Sequence, residues 1–296
     1  MVSCDKSDDP IPKEEIASQL PKQVFFFFEN DTPLLYAVKY DTINRLIEVY
    51  YDDTTNANPY DVLAKKFQYN NDGYLTSYYA NDESGSFDEK KTISRTADNQ
   101  IQWIAAEYAY NGSKDTTKFN YTSNGDGLTI TTFENTYYDN STTPWYADSM
   151  VYKFNSAYKM LESGRKDANS FYVFTYNSNG SLQTMVNGTY IANFTYGSGI
   201  PDGSYDIALM AFLGKDYYIQ QLKDLYPFNS FYEDNIFSLS ATDPYHMTKF
   251  AETYTDENGE VVNDARNYQY EVQQNRVSKI TLTSAEYGTD QILFKY

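Results

Sequence analysis

Few residues of this chain have side chains suited to catalysis. Among 296 residues there is one cysteine, Cys4, and one histidine, His246. A multi-histidine metal site is therefore excluded, and a Ser-His-Asp triad would depend on a single residue. The 41 acidic residues could supply a carboxylate pair for glycoside hydrolysis. With so many acids, however, some pairs lie close together by chance, so this pattern does not indicate an active site. No phosphate-binding loop, dinucleotide fingerprint or nucleophile elbow is present. We predict no catalytic residues, no metal and no cofactor.

The segment nearest to a calcium-binding loop is Asn120 to Asp126, in which Asn, Ser and Asp alternate before glycine. It lacks the spaced acidic ligands and the closing glutamate that a calcium loop needs. Turn formation is the better explanation, and the same holds for the segment from Asp256 to Gly259.

Trp145 and Tyr146 are the best candidates for a binding surface. They follow Pro144 at the end of a polar stretch that reads as a loop. Exposed aromatic rings give a large contact area for little conformational entropy, and they pack well on sugar rings or protein partners. The alternative is that Trp145 fills one end of a sheet as part of the core.

The composition indicates a folded β protein with a strongly acidic surface. Hydrophobic residues make up 41% of the chain, and it contains 32 Tyr and 18 Phe; aromatic residues favour strands. The formal net charge of −18 repels phosphate backbones, so we predict no nucleic-acid binding. Neutral glycans and basic protein surfaces remain as partners.

The amino terminus predicts a lipid anchor. Val2 and Ser3 precede Cys4 as in the end of a bacterial lipobox, and a Lys/Ser/Asp/Asp stretch follows. That stretch resembles the export signal of surface lipoproteins of the Bacteroidota. The charged and apolar parts of a signal peptide are missing, so we expect a truncated or misplaced start. We predict acylation of Cys4; the alternative is a free cysteine in an acidic tail.

Degenerate repeats run through the rest of the chain. Three segments share an aromatic-x-Tyr pair, an Asn/Asp/Ser cluster, a glycine and then a leucine; they begin at Phe67, Phe119 and Phe174. Weaker copies begin at Tyr40, Phe154, Tyr254 and Tyr270, and those at Tyr40 and Phe154 lack the glycine. Each copy predicts a β-hairpin, because side chains alternate along a strand and Asn, Asp and Gly close tight turns. The predicted turn glycines are Gly73, Gly125, Gly180 and Gly259.

These repeats resemble those of the YD-repeat-like lipoproteins of unknown function that are common in Bacteroidales. The resemblance covers most of the segment from Val24 to Tyr296. It implies an all-β fold, a short helical insert before a final hairpin and a location in the cell envelope. It implies no activity.

The domain organisation follows from these patterns. We predict an acidic tether over residues 1–22 and one β-repeat domain over 23–296, an antiparallel meander forming a curved sheet or a superroll. A helical insert is expected at 205–226, where Asp216 is a predicted N-cap and Pro227 a stop. We predict a non-catalytic, lipid-anchored outer-membrane protein that binds a glycan, peptide or protein, facing the cell surface or the periplasm. The alternatives are an envelope hydrolase and a purely structural wrapping module.

Overall fold

The computed structural model describes residues 20–296 except 28–33, 44, 52–61, 83, 99, 110, 124, 126, 139–140, 158, 169–170, 198–246, 275 and 286–287. All the regular structure in this part of the chain is β-strand. The strands are Gln23–Phe27 (β1), Leu34–Tyr40 (β2), Leu46–Tyr51 (β3), Val62–Tyr69 (β4), Leu75–Asn81 (β5), Phe87–Arg95 (β6), Ile101–Tyr108 (β7), Lys114–Ser123 (β8), Gly127–Tyr137 (β9), Tyr146–Asn155 (β10), Met160–Arg165 (β11), Tyr172–Tyr176 (β12), Leu182–Asn187 (β13), Tyr190–Tyr196 (β14), Met247–Thr255 (β15), Val261–Gln273 (β16), Arg276–Ser284 (β17) and Gly288–Lys295 (β18).

The strands close into one antiparallel barrel of 18 strands. Each strand pairs with the next along the chain, and β1 also pairs with β18, with Gln23 opposite Lys295 and Phe27 opposite Gln291. The predicted meander is confirmed, but the prediction of a curved sheet or superroll is wrong. Pairing of the first strand with the last satisfies both edges, which would otherwise expose unpaired backbone groups.

The helix predicted at 205–226 lies outside the described residues. In the part of the chain that the structure describes, no helix is long and apolar enough to cross a membrane.

The inner face of the barrel is apolar and packed. Among the residues that the structure describes, thirty buried hydrophobic side chains form a core cluster to which strands all around the barrel contribute. A round barrel of this strand number leaves a wide lumen in which side-chain tips meet water. Phe250 and Tyr78 are only 0% and 1% exposed, so the interior is filled with side chains around them.

The outer face of the barrel is mainly polar. Along β8 the exposed outward residues include Lys118 and Asn120, and along β16 they include Asn267 and Gln269. Among the described residues, exposed apolar side chains form no belt around the barrel. The described strands therefore alternate between apolar inward residues and polar outward residues.

Several hairpin turns are each held by one asparagine or aspartate side chain. In the turn after β4, Asn70 Oδ1 accepts hydrogen bonds from the backbone N–H groups of Asp72 and Tyr74, and the N–H of Gly73 donates to the carbonyl of Asn70. Gly73 has φ +90°, which glycine adopts without strain. The same side-chain bonds occur at Asp41, Asp82, Asn155 and Asp256. The turns at Asp41 and Asn155 therefore keep these bonds although their sequences lack glycine.

The repeat tyrosine links each hairpin to the preceding one. The Tyr69 hydroxyl donates to the Leu46 carbonyl (2.8 Å), and the Arg45 guanidinium lies 4.6 Å from the centre of the Tyr69 ring. Equivalent hydroxyl bonds run from Tyr121 to Ile101, from Tyr176 to Met160 and from Tyr296 to Val277. Burial raises the pKa of Tyr69, so the phenol remains a donor at physiological pH.

The two ends of the barrel differ. We call proximal the end at which β1 begins at Gln23; it carries the repeat turns at Asp41, Asn70 and Asn177. We call distal the opposite end, which carries the turn at Asp82 and the loop before Trp145. Chain order alone assigns each turn to one end, because every connection in an antiparallel barrel reverses direction.

Candidate functional site

An aromatic cluster projects from the distal end between β9 and β10. Trp145 is 71% exposed and Tyr146 is 39% exposed. The ring of Trp145 lies 5.1 Å from that of Tyr138 in an edge-on arrangement and 6.3 Å from that of Tyr146. The backbone N–H of Trp145 donates to the Thr136 carbonyl, which fixes the loop to β9. We call Tyr138, Trp145 and Tyr146 the aromatic cluster.

Beside this cluster the barrel rim holds an ion pair. The Tyr146 hydroxyl donates to Asp148 Oδ2 (2.8 Å), and Arg165 Nε lies 2.9 Å from the same oxygen. Burial of Asp148 opposes its ionisation. The bonds from Arg165, Tyr146 and the Ser149 N–H nevertheless hold the pKa of Asp148 below its ordinary value. Asp148 is therefore a fixed anion that positions the Tyr146 ring.

A second carboxyl group faces Asp148 across the strand pair. Glu134 on β9 is directly opposite Asp148 on β10, and residues opposite each other in an antiparallel pair have Cα atoms about 4.5–5.5 Å apart. Burial, together with the charges of Asp115 and Asp148, raises the pKa of Glu134, while Lys91 acts in the other direction. The rim therefore concentrates negative charge at Glu134.

The inner rim continues to β6 through four more polar residues. Tyr108 on β7 donates a hydrogen bond to Asp115 on β8, and burial together with the charge of Glu89 raises the Tyr108 pKa. Glu89 on β6 lies opposite Tyr108, and its Oε1 is 3.5 Å from Lys91 Nζ. We call Glu89, Lys91, Tyr108, Asp115, Glu134, Asp148 and Arg165 the rim cluster.

A second cation is buried close to this rim. Lys65 on β4 is 7% exposed, and its Nζ lies 5.0 Å from the centre of the Tyr36 ring. Burial lowers the Lys65 pKa to about 7. Lys65 lies opposite Ala80, and Ala80 lies opposite Glu89, so all three belong to one cross-strand row on the inner face.

A shallow depression of about 520 Å³ lies across β15, β16 and β17, also toward the distal end. Ala251 and Ala265 face each other across the strand pair within it. Near its edge the Tyr190 hydroxyl donates to Glu252, and the Ser284 hydroxyl donates to Asp264. The depression has no exposed aromatic side chain among its lining residues.

The side chains at the distal end are suited to binding a partner. Fixed carboxylates accept hydrogen bonds, Arg165 donates them, and the exposed rings offer a flat apolar surface. Among the described residues no group of three or more His, Cys, Asp or Glu side chains is arranged to hold a metal ion. The candidate residues Trp145 and Tyr146 lie together on this surface.

Sequence reasoning missed the rim cluster. Its members come from β6 to β11, and only the strand register brings them together. Part of the cluster interrupts the apolar alternation of the inner face, since Glu89 and Asp115 lie opposite the buried Ala80 and Ala106. Gly73, Gly125, Gly180 and Gly259 all have φ between +69° and +91°. Cys4 and His246 lie outside the described residues.

Comparison with solved structures gives a distant likeness of fold. No protein-family model matches the chain, and no curated protein matches it. A solved structure described as a porin-like protein from Bacteroides vulgatus matches with a TM-score of 0.43 and 10% identity, over 94% of this chain and 98% of that one. The resemblance to YD-repeat-like lipoproteins therefore stays a prediction, and no family is assigned.

Proposed function

We propose that this protein is a non-catalytic binding protein of the bacterial cell envelope, anchored to the outer membrane through Cys4, which captures its partner at the distal end. The observation that carries the proposal is the exposure of Trp145 within the aromatic cluster. A ring of this size held rigidly in water by two others costs little entropy to bury on a partner.

The topology supports assigning membrane anchoring to the proximal end and partner binding to the distal end. The tether that carries Cys4 joins β1 at the proximal end, where the Lys22 N–H donates to the Lys295 carbonyl. A lipid on Cys4 would hold the proximal end nearer the bilayer, leaving the aromatic cluster on the opposite side. The polar outer face of the strands agrees with a barrel held by lipid, because it provides no apolar band for insertion.

A hydrolase is the weaker candidate. Glu134 and Asp148 are opposed carboxyl groups whose environments move their pKa values in opposite directions, and such a difference distinguishes an acid from a base in glycosidases. Asp148, however, is bonded to both Arg165 and Tyr146. These bonds stabilise the carboxylate and reduce its reactivity as a nucleophile.

Binding is tested by comparing Trp145→Ala with Ile43→Ala. Ile43 is an exposed apolar residue at the proximal end and serves as the matched control. A glycan array and a pull-down from envelope extract, run with wild type and both variants, should show binding that Trp145→Ala weakens and Ile43→Ala preserves. Both melting temperatures should stay near that of wild type, since neither side chain is buried. Equal binding by all three proteins would refute the proposal.

A further inference from the structure

Charge is distributed unequally between the two ends of the barrel. The difference appears among the charged residues of the turns and of the three strand residues next to each turn, within the part of the chain that the structure describes. At the distal end acids outnumber bases, whereas at the proximal end bases outnumber acids. The distal residues are Asp82, Asp88, Glu89, Glu107, Asp115, Asp148, Asp167, Asp256, Glu257, Glu260 and Asp290 against Lys114, Arg165 and Lys166. The proximal residues are Lys22, Lys39, Arg45, Arg95, Lys153, Lys159, Lys249, Arg276 and Lys295 against Asp41, Glu48, Asp72, Asp98, Glu162 and Glu271.

Within the rim cluster, the four carboxyl groups outnumber the two cations, Lys91 and Arg165. Glu89 is paired with Lys91, Asp148 is paired with Arg165, and Asp115 accepts a hydrogen bond from Tyr108. Glu134 forms no salt bridge within the described chain, although it lies between the carboxyl groups of Asp115 and Asp148. A positive group placed beside Glu134 would be attracted by the carboxylates of Glu134, Asp115 and Asp148, against the repulsion of Lys91 and Arg165.

Two further atoms of the rim cluster are left without hydrogen bonds. Glu89 is 4% exposed, and its buried Oε1 accepts no hydrogen bond, its contact being the 3.5 Å ion pair with Lys91 Nζ. Asp115 Oδ1 is also buried without a hydrogen-bond donor. Buried polar atoms are nearly always satisfied, so the incomplete hydrogen bonding of these two oxygens adds to the excess of negative charge at the rim.

The aromatic cluster stands next to this excess of negative charge. Tyr146 lies opposite Thr136, two residues along β9 from Glu134 and on the same face. A cation held near aromatic rings is attracted by their negative faces, while the methylene stem of lysine packs against them. Aromatic rings and carboxylates together therefore favour the binding of an amine carried on an apolar chain.

We propose that the distal end binds a basic peptide segment, with a lysine or arginine side chain entering between the aromatic cluster and Glu134. The inference rests on the proposed function and narrows its partner to a cationic peptide. Neutral glycans gain nothing from the carboxylate excess, whereas a basic segment is favoured by both the local site and the field of the whole distal end.

The test is fluorescence anisotropy with a labelled penta-lysine peptide, beside labelled penta-glutamate and labelled maltopentaose. Wild type should bind penta-lysine, more weakly at 300 mM than at 50 mM salt, and should not bind penta-glutamate. Glu134→Gln should weaken penta-lysine binding about three- to tenfold, and Trp145→Ala about two- to fivefold. Asp98→Asn removes the same charge from an exposed residue at the proximal end, and it should leave the affinity unchanged.

The possible outcomes separate this inference from the proposed function. Absence of penta-lysine binding, or equal weakening by Glu134→Gln and Asp98→Asn, would overturn the basic-peptide inference. If maltopentaose binds in a Trp145-dependent manner and penta-lysine does not, the inference is overturned while the binding role of Trp145 stands. Circular dichroism melting of Glu134→Gln shows whether the fold is intact; if it is lost, Glu134→Asp, which keeps the charge, should retain binding.

Discussion

Lys65 provides the most quantitative test of the packed interior. The residue is 7% exposed, and burial lowers its pKa from 10.5 to about 7. One pKa unit corresponds to about 1.36 kcal/mol. At pH 7 the free energy of unfolding is therefore roughly 4–5 kcal/mol lower than it would be with an ordinary lysine at this position. Contact between the Lys65 amine and the Tyr36 ring (5.0 Å) offsets about 1 kcal/mol of this destabilisation.

Lys65→Met removes the charge and keeps the length of the side chain. We expect the free energy of unfolding at pH 7 to rise by about 2–4 kcal/mol, because the buried amine no longer has to lose its proton or its solvation. The adjacent Lys66, with its side chain 44% exposed, is the matched control. Lys66→Met should change stability by less than about 0.5 kcal/mol.

The pH dependence gives a second readout of the same group. The folded pKa is below the unfolded value, so between about pH 7 and 10.5 the unfolded chain binds more protons at Lys65. The stability of wild type relative to Lys65→Met should therefore increase as the pH rises through that range. Urea unfolding at pH 6, 7, 8 and 9 measures it. If Lys65→Met is no more stable than wild type at pH 7, or the difference is independent of pH, the amine is hydrated and the interior is not packed there.

Three further predictions concern the repeats and the anchor. Tyr69→Phe leaves the Leu46 carbonyl without its hydroxyl donor and should cost about 1 kcal/mol in urea unfolding; no loss would show that the link between hairpins is dispensable. Gly180→Val, at φ +91°, should cost about 1–3 kcal/mol, and Gly180→Asn should cost less because asparagine tolerates this conformation; equal costs would contradict strain as the cause. Cys4→Ser should abolish acyl labelling and release the protein from membranes in a folded form; unchanged membrane fractionation would disprove the anchor.

Local sequence patterns were sufficient to predict the hairpins. Aromatic-x-Tyr pairs followed by Asn, Asp and Gly predicted strands and turns because both depend on residues close in sequence. The lack of glycine after Tyr40 did not change the side-chain bonds of the turn, since Asp41 accepts the same two backbone N–H groups. The turns at Asp41, Asn70, Asn155 and Asp256 share these side-chain bonds, whereas in the turn at Asn177 the acceptor is Asn179 Oδ1.

Closure of the barrel and assembly of the rim cluster could not be predicted in this way. Whether Phe25 on β1 meets Leu293 on β18 depends on the accumulated twist and stagger of sixteen intervening strands. The opposition of Glu134 and Asp148 depends on the register of a hairpin whose loop length the sequence did not define. Among 41 acidic residues, nothing local distinguished these two. Trp145 was found because an aromatic beside proline in a polar loop is a local pattern.

The central claim, that a partner is captured at the distal end, is tested most directly by hydroxyl-radical footprinting of the partner-bound protein. Oxidation of Trp145 and Tyr146 should fall when the protein is saturated with the partner recovered from envelope extract. Oxidation of Ile43, at the proximal end, and of Val261, an exposed residue of β16, should stay unchanged. Unaltered oxidation of Trp145, with protection at Ile43 instead, would contradict the account and place binding at the proximal end.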